Sequence, residues 1–76
     1  MRAPAGAPPL GRQIADLFAA GRHAELEGIA RRMVTQAPGA AAGWTVLGAA
    51  LAGQARHAEA LAAKQQALQI APDAQA

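Results

Sequence analysis

The strongest structural signal in the chain lies in residues 44–51, which read Trp44-Thr45-Val46-Leu47-Gly48-Ala49-Ala50-Leu51. Four of these residues recur at the spacing that places side chains on one face of an α-helix: Trp44, Leu47, Gly48 and Leu51. Small residues then follow at positions 60 and 67, where a second helix could pack closely, and a proline stands at position 72 to end that helix. This half of the chain therefore predicts a pair of packed helices.

Parts of this half of the chain recur 34 residues earlier in the sequence. The segment Arg22-His23-Ala24-Glu25 is identical to Arg56-His57-Ala58-Glu59. With the same 34-residue offset, Pro38 aligns with Pro72 and Leu17 aligns with Leu51. The shared register indicates an internal repeat of two units, residues 7–40 and 41–74.

This period and these residues resemble the tetratricopeptide repeat (TPR), a helix–turn–helix unit with the pattern W-x2-L-G-x2-Y followed by A, F, A and P. In the second unit the motif positions hold Trp44, Leu47, Gly48, Leu51, Ala60, Ala67 and Pro72. Leu51 replaces the usual Tyr, and Lys64 replaces the usual aromatic residue. The first unit matches less well, as terminal repeats often do, and its compatible positions are Leu17, Ala24 and Pro38. The resemblance implies an all-α fold, a right-handed αα-superhelix of two TPR units with four antiparallel helices.

The apolar spacing and the turn residues predict where the four helices lie. We expect the first after Pro8-Pro9, followed by a turn in which Gly21 takes a left-handed conformation. We expect the others over His23–Gln36, Ala41–Ala52 and Arg56–Ile70. Residues 1–7 are rich in Pro, Ala and Gly and predict a flexible lead-in to a domain at 8–74.

Composition restricts the classes of function. The chain has 76 residues, a net charge of +2 and no cysteine, which is compatible with one small cytoplasmic domain. No apolar stretch approaches the roughly 20 residues of a membrane span, so we expect no membrane association. The longest basic run is Arg31-Arg32, which we expect on a solvent-facing surface, and we do not expect nucleic acid as a partner.

The sequence offers little for catalysis or for metal binding. It contains neither Ser nor Cys, and Thr35 and Thr45 have no evident activating partner. His23 and His57 lie one repeat apart, whereas a metal site needs three or four converging ligands. We expect each histidine to pack at the start of its helix, and we expect no enzyme activity, no metal and no cofactor.

The resemblance implies a function in binding a protein or a peptide, because the first helix of each TPR unit lines an inner, concave surface. By register, the partner-binding residues would be Gly11, Ala15, Phe18, Thr45, Ala49 and Ala52. Two known specialisations of that surface, a lysine- and asparagine-based clamp and an asparagine ladder, have no matching residues here. Phe18 would be either an anchor for the bound peptide or a packing residue against the lead-in.

Self-association is the alternative function. Two repeats are fewer than the usual minimum of three, and they leave Leu61 and Leu68 partly uncovered at the C-terminal end. Either the chain is a docking segment of a longer protein, or its open ends pair in a homodimer. Alanine-rich TPR segments of this kind are similar to N-terminal portions of bacterial glycosyltransferase-, sulfotransferase- and methyltransferase-like proteins.

Overall fold

The computed structural model describes residues 9–71, and within that range every regular element is an α-helix. The helices are α1 (Leu10–Ala19), α2 (His23–Gln36), α3 (Ala41–Gly53) and α4 (His57–Ile70). The expected all-α class with four helices is confirmed. The predicted lead-in at 1–7, both ends of the predicted 8–74 domain and the motif residue Pro72 lie outside the described residues.

The predicted helix bounds are close to the observed ones. The prediction for α2 agrees at both ends. The predicted α3 ends one residue too early, because Gly53 is the last helical residue and does not belong to the turn. The predicted α4 begins one residue too early, because Arg56 has φ −93° and ψ 69° and precedes the first helical turn. No side chain caps the start of either α2 or α4, in keeping with the missing Ser, Thr, Asp and Asn before them.

The internal repeat extends to the backbone of the turns. Gly21 after α1 and Ala55 after α3 are equivalent positions, and both take positive φ values, 73° and 62°. The next residue donates its amide to an equivalent carbonyl in each case, Arg22 to Leu17 at 2.9 Å and Arg56 to Leu51 at 3.0 Å. The two helix pairs are therefore closed by the same turn.

The core lies among α2, α3 and α4. Its buried side chains are Leu26, Ala30, Leu47, Ala50, Leu51, Ala63 and Ala67. Helix α1 contributes no buried residue and contacts α2 far less than α2 contacts α3 or α3 contacts α4. The centre of the molecule is thus α3, which packs against both α2 and α4.

The motif residues of the second unit lie in or beside this core. Leu47, Gly48, Leu51 and Ala67 are buried, and a Cβ atom at Gly48 would lie 3.4 Å from the carbonyl oxygen of Ala60. Trp44 is half-buried, and its Nε1 donates a hydrogen bond to the carbonyl oxygen of Pro38 at 3.0 Å. In the first unit, Leu17 is half-buried and Ala24 and Pro38 are exposed. Small residues at the α3–α4 contact therefore allow the close approach that the spacing predicts.

Within residues 9–71 no helix has the length and apolar character needed to cross a membrane.

Candidate functional site

An apolar hollow lies between α1 and α3, with α2 beneath it. Its volume is about 250 Å³, and it is bordered by Gly11, Ile14, Ala15, Phe18, Leu26, Thr45, Val46 and Ala49. We call this surface the inner groove. Five of the six residues predicted to bind a partner lie on its border, namely Gly11, Ala15, Phe18, Thr45 and Ala49. The sixth, Ala52, lies in a neighbouring hollow between α3 and α4.

The walls of the inner groove are formed by small residues on each side. Gly11 and Ala15 of α1 face Thr45 and Ala49 of α3, which leaves room between the two helices. The residues that border the groove carry no charge, and the hydroxyl of Thr45 already donates to the carbonyl oxygen of Ala41 at 3.1 Å. The groove therefore presents apolar surface, which favours apolar ligands.

Phe18 is the aromatic residue of the inner groove, and half of it, 52%, is exposed. Its ring meets the ring of His23 edge-on, with the centroids 5.8 Å apart. The alternative contact proposed for Phe18, packing on the lead-in at 1–7, falls outside the described residues. The Phe18 ring therefore contacts His23, and about half of its surface is exposed to solvent.

His23 itself packs between Phe18 and the end of α3. Its imidazole lies against Gly53 so closely that a Cβ atom at position 53 would overlap the ring. Nδ1 of His23 is buried and has no hydrogen-bond partner among the described residues. Each histidine was expected to pack at the start of its helix; His23 does so at the start of α2, whereas His57 at the start of α4 is exposed. No group of three or more potential metal ligands is found within residues 9–71.

A polar network joins the two helix pairs beside this site. Glu27 on α2 accepts hydrogen bonds from Gln54 Nε2 and Arg56 Nη1, both at 2.9 Å, and from Arg31 Nε at 2.7 Å. Only 15% of the Glu27 side chain is exposed. The hydrogen bond from Gln54, followed by that from Arg31, lowers the pKa of Glu27 below its ordinary value. Arg56 also holds Glu59 through two hydrogen bonds, which lower the pKa of Glu59 as well.

Sequence reasoning missed several of these residues. Leu26, which forms the floor of the inner groove, and Val46 were assigned to helices and not to the site. The pairing of Glu27 with Arg31 is visible as an i, i+4 spacing, but its bonds to Gln54 and Arg56 join residues far apart in sequence. Arg31 and Arg32 are both exposed, as expected.

Comparisons of the chain with protein-family models, with curated proteins and with solved structures find no match.

Proposed function

We propose that this chain is a non-catalytic, TPR-like interaction module that binds an apolar segment of a protein or peptide in its inner groove. The right-handed superhelical stacking of two TPR units and a cytoplasmic setting are parts of the same proposal. The observation that carries it is the convergence of Gly11, Ala15, Phe18, Thr45 and Ala49 on one apolar hollow. These positions come from two helices that lie one repeat apart in sequence.

The chemistry of the groove favours one kind of ligand. Apolar surface without charged side chains is suited to a segment that presents a bulky apolar residue, since burying that residue in place of water is favourable. The half-exposed ring of Phe18 offers an aromatic contact at the edge of the groove. The small residues Ala15 and Ala49 leave the space that such a side chain requires. The ligand that fits is therefore an apolar peptide segment.

The test is selection of peptides from a random displayed library with the full 76-residue chain. We expect the selected peptides to share a bulky apolar residue. Binding of one synthetic peptide is then measured by fluorescence anisotropy. Ala49→Glu should weaken it by at least about tenfold, because a carboxylate in the groove must be desolvated. Phe18→Ala should weaken it as well.

The matched control is Ala58→Glu, which adds the same charge at an exposed position outside the groove. It should leave peptide affinity unchanged. Circular dichroism must show that all variants keep the fold, and the affinities are compared at a dilution at which light scattering shows the unmodified chain and each variant to be monomeric. Equal affinity of Ala49→Glu and Ala58→Glu for the peptide, or a selection that enriches no peptide, would contradict the proposal.

A further inference from the structure

The C-terminal end of the molecule carries an open surface, which we call the tail groove. It surrounds a hollow of about 390 Å³ and is lined by Thr45, Gly48, Ala49, Ala52, Ala60, Leu61, Lys64 and Ala67. A shift of 34 residues maps its four α4 residues onto α2 residues that pack toward α3: Leu26, Glu27, Ala30 and Met33. In the first helix pair the α2 side of this surface is covered, and Leu26 and Ala30 are 1% and 0% exposed, whereas its α1 side borders the inner groove. In the second pair it is open, and Leu61 is 56% exposed.

The N-terminal end carries the complementary open surface, which we call the head face. It surrounds a hollow of about 580 Å³ and is lined by Gln13, Asp16, Leu17, Glu25, Gly28, Ile29 and Arg32. The same shift maps it onto Leu47, Ala50, Leu51, Glu59, Ala62, Ala63 and Gln66. Several of those residues are buried, and Leu47, Leu51 and Ala63 form one core cluster with Ala30 of α2. The α4 side of the tail groove and the α1 side of the head face are therefore equivalent to the two sides of the α2–α3 interface.

Two pairs of positions change together between the interface and the open ends, whereas others, such as Leu47 against Gln13 and Leu26 against Ala60, change singly. Inside the molecule, Glu27 accepts a hydrogen bond from Gln54. The equivalent end positions hold Leu61 on the tail groove and Ala20, three residues after Leu17 of the head face, so this polar pair is replaced by an apolar pair. Arg56, the other partner of Glu27 in this segment, corresponds to Arg22 and keeps its charge.

A second pair of positions changes in charge. Ala30 on α2 and Ala50 on α3 are both fully buried. Their equivalents at the ends are Lys64 on the tail groove and Asp16 on the head face, which carry opposite charges. The apolar pair and the opposite charges make the two ends complementary to each other, which favours a second copy of this chain as the occupant.

We propose that copies of this chain associate head to tail, with the head face of one copy seated in the tail groove of the next. The contact repeats the α2–α3 interface between molecules, with Leu61 against Ala20 and Lys64 near Asp16. Because it joins two different surfaces, an open row of copies keeps one free head and one free tail, so association continues past two copies until a ring closes. This assembly goes beyond peptide binding, since neither Ala20 nor Leu61 borders the inner groove.

The test is the molar mass of the full 76-residue chain, measured by light scattering after size exclusion from micromolar to millimolar concentration. The mass of the unmodified chain should rise past that of two chains. Leu61→Arg blocks the tail and Ala20→Arg blocks the head, so each variant alone should stay monomeric. An equimolar mixture should form one species of two chains, because each variant keeps one intact surface.

Ala58→Arg is the control, because it adds the same charge at an exposed position outside both surfaces. It should associate like the unmodified chain, and circular dichroism should show unchanged helix content in every variant. Three outcomes would overturn the inference: an unmodified chain that stays monomeric, a mass that stops at two chains, or a mixture of the blocked variants that stays monomeric.

Discussion

Positions 21 and 55 are equivalent in the repeat, yet one holds glycine and the other alanine. Both have the left-handed backbone conformation that ends the preceding helix. A Cβ atom is disfavoured in this conformation by roughly 1–2 kcal/mol, whereas glycine adopts it freely. The turn after α3 therefore carries strain that the turn after α1 avoids.

We expect Ala55→Gly to raise the free energy of unfolding by about 0.5–1 kcal/mol, since the relief of strain exceeds the added entropy of the unfolded chain. Gly21→Ala should lower it by a similar amount. Urea unfolding followed by circular dichroism measures both. Ala62→Gly, at an exposed position inside α4, serves as the control and should be destabilising by about 0.5–1 kcal/mol. Loss of stability in Ala55→Gly would contradict the argument.

At the scale of the elements, Glu27 connects α2 to the segment between α3 and α4. Its pKa is lower in the folded chain than in the unfolded chain, so the folded state favours its ionised form. The resulting stabilisation is fully present above the unfolded value, about 4.3. It is lost as the pH falls through the folded pKa, because protonation removes the negative charge that strengthens the hydrogen bonds from Gln54, Arg31 and Arg56.

We expect the melting temperature of the unmodified chain to fall below about pH 4.3. Glu27→Gln should melt at a lower temperature at neutral pH and show a smaller further fall in acid. Thermal melts by circular dichroism at a series of pH values measure this. Part of the fall in melting temperature should remain in Glu27→Gln, because the pKa of Glu59 is also lowered in the folded chain. Glu25→Gln is the control, since Glu25 forms only an exposed ion pair with Arg22 and should change little. If the melting temperatures of Glu27→Gln and of the unmodified chain fell equally with decreasing pH, the stabilising role of the Glu27 carboxylate would be contradicted.

At the scale of the whole molecule, α3 has helices packed on two sides, whereas α1 and α4 each leave a face open. Stability in stacked helical repeats is approximately the sum of each unit and its contacts with its neighbours. Two units provide one such contact, between α2 and α3. A third unit would add another contact and would cover Leu61.

A chain in which residues 75–76 are replaced by another copy of residues 41–74 should unfold at a higher guanidinium concentration than the 76-residue chain. The control is the same extension with Leu47→Arg in the added copy, which places a charge at the equivalent of a buried contact and should abolish most of the gain. Equal unfolding midpoints for the extended and the original chain would contradict stacking of the added unit.

The features that were predicted correctly from the sequence are those that depend on residues close together in the chain. Helix periodicity and the turn residues identified four helices, both ends of α2 and the left-handed Gly21, because each of these depends on residues a few positions apart. The TPR resemblance, applied through the 34-residue register, predicted that positions 11, 15, 18, 45 and 49 share an inner surface, and all five border the inner groove. TPR membership and the binding role of these residues stay predictions.

The sequence by itself thus determined the helical class, the two-unit repeat and the positions that recur in it. Only the tertiary structure decided the contacts between distant residues. The ring of His23 lies on Gly53, and Glu27 bonds to Gln54 and Arg56. Those contacts depend on how the second helix pair is oriented on the first, and that orientation follows from side-chain packing across the α2–α3 interface, which no local spacing encodes.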